Sequence, residues 1–301
     1  MELIGIKQNS FIKKDNKVMF ISMIVNIILS FIKIICGVVG SSGALIADGI
    51  HSLSDLITDV FAIIGNLLSK KPADDKHPLG HGKLEYLTSM TIGVIVLFMG
   101  FSIIYNSFNR EVVIPSILVF IVTLFTIVLK LLLSRYVIKK GKEYNNTILI
   151  SSGKESAADV ISSFFVLLST VLMRFSDSIP ILRFSDLVVT IIVGIFIVRI
   201  GFELLKENIS MIIGERETDD KFLEDISTII MDEDFVISID NLNLIKYGSY
   251  FEVVGEISMD ENLTLRECHD AVDRIEKSLL DFDERNKYIN IHVNPYSKKG
   301  K

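Results

Sequence analysis

ADGIHSLSDLITD, residues 47–59, decides how this chain is read. Asp48, His51, Asp55 and Asp59 fall on one stripe at helical spacing, and the sequence on either side is apolar. His51 and Asp55 are four residues apart, so both side chains reach one bound ion. A charged side chain at the centre of a bilayer costs at least ~2.5–3.5 kcal/mol on insertion scales. Inside a spanning helix such groups therefore face a protein interior or a wet cavity.

The surroundings support a membrane reading. Half of the chain is hydrophobic (50%), and the mean hydropathy is +0.47. The formal net charge of −6 gives no overall basic character and argues against a nucleic-acid partner. Six apolar runs of membrane-spanning length are predicted, at 17–39, 43–69, 84–107, 112–136, 148–174 and 182–206. The first is too long for a signal-peptide core and has no clear cleavage site, so it reads as a retained span. Cys36 and Cys268 fit neither a disulfide framework nor a thiolate metal site, and read as small buried residues.

Lys and Arg cluster in the N-terminal segment and in the loops after the second and fourth runs, whereas the alternate loops are poor in them. The positive-inside rule then predicts cytoplasmic N- and C-termini in a multi-pass protein of the plasma or inner membrane, lipid surrounding its spans.

The character changes near residue 208. TDDKFLEDISTIIMDE (218–233) has an amphipathic helical stripe, and VISIDNLNLIKYG and YFEVVGEISM read as strands joined at Gly248–Ser249. LTLRECHDAVDRIEKSLLD reads as a helix opened by a capping box of Thr264 and Glu267, and YINIHV is a third strand. The expectation is a six-helix transmembrane transport domain over 1–207 and a soluble α+β domain of order αββαβ over 208–301.

The fifth span repeats the opening pattern. GKESAADVISS places Glu155 and Asp159 four apart, and Glu155-Ser156-x-x-Asp159-x-Ile161-Ser162 echoes His51-Ser52-x-x-Asp55-x-Ile57-Thr58. Two helices giving two ligands each would surround a cation with four N/O donors, suiting Zn²⁺ or, as oxygen content rises, Mn²⁺ or Fe²⁺. No cationic partner for these acids is obvious in the sequence. A divalent ion would relieve the repulsion among Asp55, Glu155 and Asp159. Asp48 and Asp59 are expected to line the way in and out.

With these motifs the chain resembles the cation diffusion facilitator family of metal/proton antiporters over nearly its whole length. HSLSD (51–55) matches the family's second-helix motif in full. ESAAD (155–159) matches the fifth-helix motif, with Glu155 where histidine is usual. The resemblance implies a transport site of His51, Asp55, Glu155 and Asp159, more anionic than common zinc sites, with Zn²⁺, Mn²⁺, Fe²⁺ and Co²⁺ all open. In KPADDKHPLGHGKLE (71–85), Asp74, His77 and His81 stand at the family's loop metal site, and both histidines are neutral near pH 7 and ready to ligate.

Lys83 matches a lysine that pairs with an acid before the C-terminal domain; here Gly214 holds the acidic position and Glu215 follows. The C-terminal domain resembles the family's metallochaperone-like dimerisation domain. Its metal positions are depleted: His269 and His292 are kept, Asp240 stands for a histidine, Gly255 for another, and Asn294 for an aspartate. One weak ion on Asp240, His269 and His292 is the remaining expectation there.

The implied function is export of a divalent transition metal from the cytoplasm in exchange for protons, by a homodimer with no prosthetic group, the metal being substrate and potential regulator. Two other classes stay open on the residues alone: a metal-sensing membrane scaffold without flux, and an alkali-cation/proton antiporter. No nucleophile–base arrangement such as G-x-S-x-G points to an enzyme.

Overall fold

A computed structural model describes residues 2–144 and 147–297 of the chain. Met1, residues 145–146 and residues 298–301 of the two expected domains lie outside the described residues. Six long apolar helices come first: α1 (Glu2–Val39), α2 (Gly43–Ser69), α3 (Leu84–Phe108), α4 (Ile117–Tyr144), α5 (Thr147–Met173) and α6 (Ser185–Ile213). Each contains a stretch long and apolar enough to cross a membrane. Their outward surfaces carry large exposed apolar side chains, among them Phe98, Phe101, Phe125, Ile195 and Phe202, a pattern suited to lipid.

Several boundaries differ from the sequence reading, the first helix beginning at Glu2 and the fourth running on to Tyr144. The fourth helix begins at Ile117 rather than 112, because Pro115 biases the residue before it toward extended backbone. The sixth begins at Ser185 after a short 3₁₀ turn at Pro180–Phe184, and continues to Ile213, past the expected end at 206.

The chain forms two compact units, one of residues 1–60 with 92–203, the other of residues 61–91 with 204–301. Within the first, close helix approach depends on missing side chains. A Cβ on Gly49 of α2 would lie 2.7 Å from Ile34 Cγ1 and 3.0 Å from Lys33 Cβ of α1. A Cβ on Gly153 of α5 would meet Ile138 of α4 at 2.6 Å, and the Gly153 carbonyl accepts a 2.6 Å hydrogen bond from Ser134. Small residues at such crossings let backbones approach where water supplies no driving force. Gly37 against Ile46 and Gly141 against Ile150 give the same two helix pairs a second close contact each.

The second unit holds the αββαβ module expected from the sequence: α7 (Asp220–Met231), β1 (Val236–Tyr247), β2 (Tyr250–Asp260), α8 (Leu265–Phe282) and β3 (Asn286–Tyr296). The sheet order is β1-β2-β3; β1 and β2 are antiparallel across a tight turn at Gly248 (φ +69), and β2 and β3 are parallel. The parallel pair needs a crossover, which α8 provides. Asp219 caps α7, and Thr264 and Glu267 form the expected capping box on α8. The core is apolar: Ile226 and Ile230 from α7, Leu244, Phe251, Val253, Ile257 and Met259 from the sheet, and Ala271, Ile275 and Leu279 from α8. Both amphipathic stripes are thus consumed on the sheet.

Candidate metal centre in the membrane helices

α2 presents His51 and Asp55 on adjacent turns, and α5 presents Asp159 toward them. One ligand atom from each of His51, Asp55 and Asp159 lies within 4.8 Å of the others. The side chains are largely covered, with 18%, 22% and 13% of their surfaces exposed. His51 Nδ1 lies 3.8 Å from an Asp55 oxygen and has no hydrogen-bond partner among the described residues. A buried ring nitrogen left unpaired is one that a metal ion would satisfy.

Beside this group lies a cavity of about 30 Å³ walled by Asn26, Ser52, Asp55, Asp59, Glu155 and Asp159, among others. Glu155 is exposed on its rim, and its carboxylate falls outside the tight three-residue group. Asp59 lines the same cavity, four residues beyond Asp55.

Asp48 lies elsewhere than in a water-lined path. It is fully buried, forms a 2.7 Å ion pair with Lys33 of α1, and accepts hydrogen bonds from Ser162 (2.5 Å) and Ser163 (2.7 Å) of α5. Lys33 also donates to Ser163 at 2.9 Å. The absence of a cationic partner expected from the sequence is therefore corrected twice, because Lys130 of α4, 1% exposed, pairs with Asp159. Close α4–α5 contacts, that at Gly153 among them, bring Lys130 to Asp159. Ser52, one turn before Asp55, accepts from Lys130 at 3.1 Å and from Lys33 at 3.5 Å. A signal for both lysines was present: each stands alone in an apolar run, where an ammonium requires a partner.

A second group forms in the loop after α2. Asp74, His77 and His81 also bring ligand atoms within 4.8 Å. Asp74 Oδ1 accepts the backbone N–H of His77 (2.7 Å) and of Lys76 (3.0 Å), and the His77 ring lies 3.0 Å from it. Slight desolvation pushes the Asp74 carboxyl up, but those His77 and Lys76 contacts outweigh it and hold the group below the usual carboxylate range. His81 Nδ1 lies 3.0 Å from the Pro72 carbonyl, which requires Nδ1 to carry the proton and leaves Nε2 as a donor lone pair.

This loop is tied down by its own unit. The Tyr250 hydroxyl donates to the Leu79 carbonyl (2.6 Å) and accepts the Gly82 N–H (3.0 Å). Gly80 has φ +75, and a Cβ there would stand 2.7 Å from that hydroxyl. Lys83 hydrogen-bonds the Ile212 carbonyl and lies over the Tyr247 ring, while Glu215 pairs with Lys246.

The third expected cluster is not brought together. Among the described residues, only the two groups above unite three or more His, Cys, Asp or Glu ligand atoms. Asp240 is occupied by hydrogen bonds from Ser258 (2.7 Å), Asn294 (3.0 Å) and Ser238 (3.1 Å). Asn294 first, then Ser258, hold its carboxyl below the usual range. His269 pairs instead with Asp273 at 3.6 Å, and His292 is exposed on β3. An asparagine that donates stands where an aspartate ligand would accept.

The model of the cation efflux transmembrane domain matches residues 19–213, and that of the cation efflux protein cytoplasmic domain matches residues 218–296. The chain belongs to the cation efflux family. Among its relatives is the manganese efflux system protein MneP of Bacillus subtilis, 31% identical over 94% of this chain and 96% of that protein. An uncharacterized transporter of Methanocaldococcus jannaschii is 32% identical over 93% and 98% of the two chains. The magnetosome protein MamB of Paramagnetospirillum magneticum is 24% identical over 90% of each. The membrane group sits in the transmembrane part of the cation efflux match, and the loop group in its 70–83 connection.

Proposed function

We propose that this cation efflux protein exports a divalent transition-metal ion from the cytoplasm in exchange for protons, with Mn²⁺ as first candidate among Mn²⁺, Fe²⁺, Co²⁺ and Zn²⁺. The observation that carries the reading is the convergence of His51, Asp55 and Asp159 on one point between two membrane helices. One nitrogen and two carboxylates, with Glu155 and Asp59 along the same cavity, favour an oxygen-leaning dication. Two relatives are named as manganese efflux systems, which supports the choice of metal. The ligands bind metal only when deprotonated, so protons and metal compete for them, and protons entering from outside would release the ion. Alternating access would come from helices rocking around this site. The termini face the cytoplasm in this reading, the loop triad of Asp74, His77 and His81 meets the metal there, and two copies join through the C-terminal domain.

The test is uptake of Mn²⁺ into proteoliposomes under an imposed pH gradient. Asp55→Ala and Asp159→Ala are expected to abolish gradient-driven uptake. Either variant moving Mn²⁺ at the wild-type rate would sink the site assignment, and a wild type that binds Mn²⁺ without flux would favour a scaffold.

A further inference from the structure

We infer that Lys130 is a tethered cation that competes with the metal for Asp159 and that the incoming ion must displace. The inference rests on the transport site proposed above and goes beyond it, since it concerns a residue outside the metal-ligand set. Three observations carry it. Lys130 is 1% exposed, with its ammonium on Oδ2 of Asp159, a member of the three-residue group. It comes from α4, and its two partners, Asp159 and Ser52, both line the cavity, so the ammonium stands at the edge of the space an ion would enter. Lys33, the other buried lysine, bonds Asp48 and Ser163 and touches none of the three.

The physical argument follows from like charges. Carboxylates packed in a membrane interior repel unless a positive charge lies among them. The Lys130 ammonium on Asp159 is such a charge. A dication on His51, Asp55 and Asp159 would share a carboxylate with the ammonium, two cations within a few ångströms in a poorly screened interior. Metal binding therefore carries the work of moving Lys130 off Asp159. Ser52, already 3.1 Å from Nζ, gives the ammonium an acceptor to retain. An affinity held down in this way suits a carrier that must let its ion go.

The experiment compares wild type and Lys130→Met in detergent micelles, titrating Mn²⁺ by calorimetry with Asp74→Ala/His77→Ala present in both to silence the loop group. Lys130→Met is expected to bind Mn²⁺ more tightly by roughly tenfold, within the ~5–150-fold span usual for coupled sites. Unchanged or weaker binding overturns the inference, the weaker result marking Lys130 as a support that positions Asp159. If Lys130→Met does not fold, Lys130→Gln takes its place. A metal-loaded structure of the wild type reads the same point without a variant. Nζ is expected more than 4 Å from the Asp159 oxygens, and an ion pair retained beside bound metal overturns the inference. Failure of the wild type to bind Mn²⁺ at all would count against the transport reading itself, and so is distinguishable.

Discussion

The two groups of histidine and aspartate differ in how their charge is balanced. In the loop, Asp74 and His77 are half exposed (53% and 54%), and backbone N–H groups with the histidine rings meet the single carboxylate. In the membrane helices the acids of the group are largely covered, and a lysine from another helix, Lys130 of α4, pairs with Asp159, while Asp48, outside the group, is paired by Lys33 of α1. The same ligand chemistry thus needs a helper cation only where solvent is excluded. A loop group can be built from one short segment, whereas the covered one draws on three helices, α2, α4 and α5.

The largest expected effect tests that dependence. Lys33→Met leaves Asp48 buried and unpaired, and stability should fall by about 3–5 kcal/mol. Paired with Asp48→Asn, most of that loss should return, read by thermal or denaturant unfolding in detergent. A single variant as stable as the wild type would mean the buried acid does not need its lysine.

Next comes the loop. His81→Ala should weaken metal binding there by at least the ~10–100-fold that loss of a mere outer partner costs, with little change in stability. Metal titration of a variant lacking Asp55 and Asp159 measures it, and unchanged affinity would remove His81 from the group. Smaller is Tyr250→Phe, which deletes hydrogen bonds to Leu79 and Gly82. A loss of about 1–3 kcal/mol is expected, with faster amide exchange at Gly82. Exchange at the wild-type rate would show the loop holds itself.

The smallest effect is on pH. The Asp74 carboxyl lies below its ordinary value in the folded loop, so its contribution to loop order is present above the unfolded value of about 3.9 and is lost as pH falls below it. The His77 and Lys76 amide exchange rates should rise in that window in the wild type and not in Asp74→Asn.

Much of this architecture was legible because its signals are local. Apolar runs of spanning length, the hairpin at Gly248–Ser249, the capping box at Thr264 and the His51/Asp55 spacing each sit within one segment. What the sequence hid is pairing between segments. Lys33 in FIKIIC and Lys130 in VLKLLLSR read as isolated lysines, because close helix contacts, those at Gly49 and Gly153 among them, deliver them to Asp48 and Asp159. Asp240 differs in the other direction. It is expected as a ligand, but the amide of Asn294, itself read as a depleted position, donates to it and occupies that carboxylate.

The hydroxyl of Ser52 has a consequence for inheritance. One oxygen accepts from both buried ammoniums, so neither ion pair can change without altering the other's hydrogen bonding. Energies at residues sharing a partner do not add, and couplings of about 0.5–3 kcal/mol are usual. Positions 33, 48, 52, 130 and 159 therefore form a single unit of sequence drift: a replacement at one resets which residues the other four can accept.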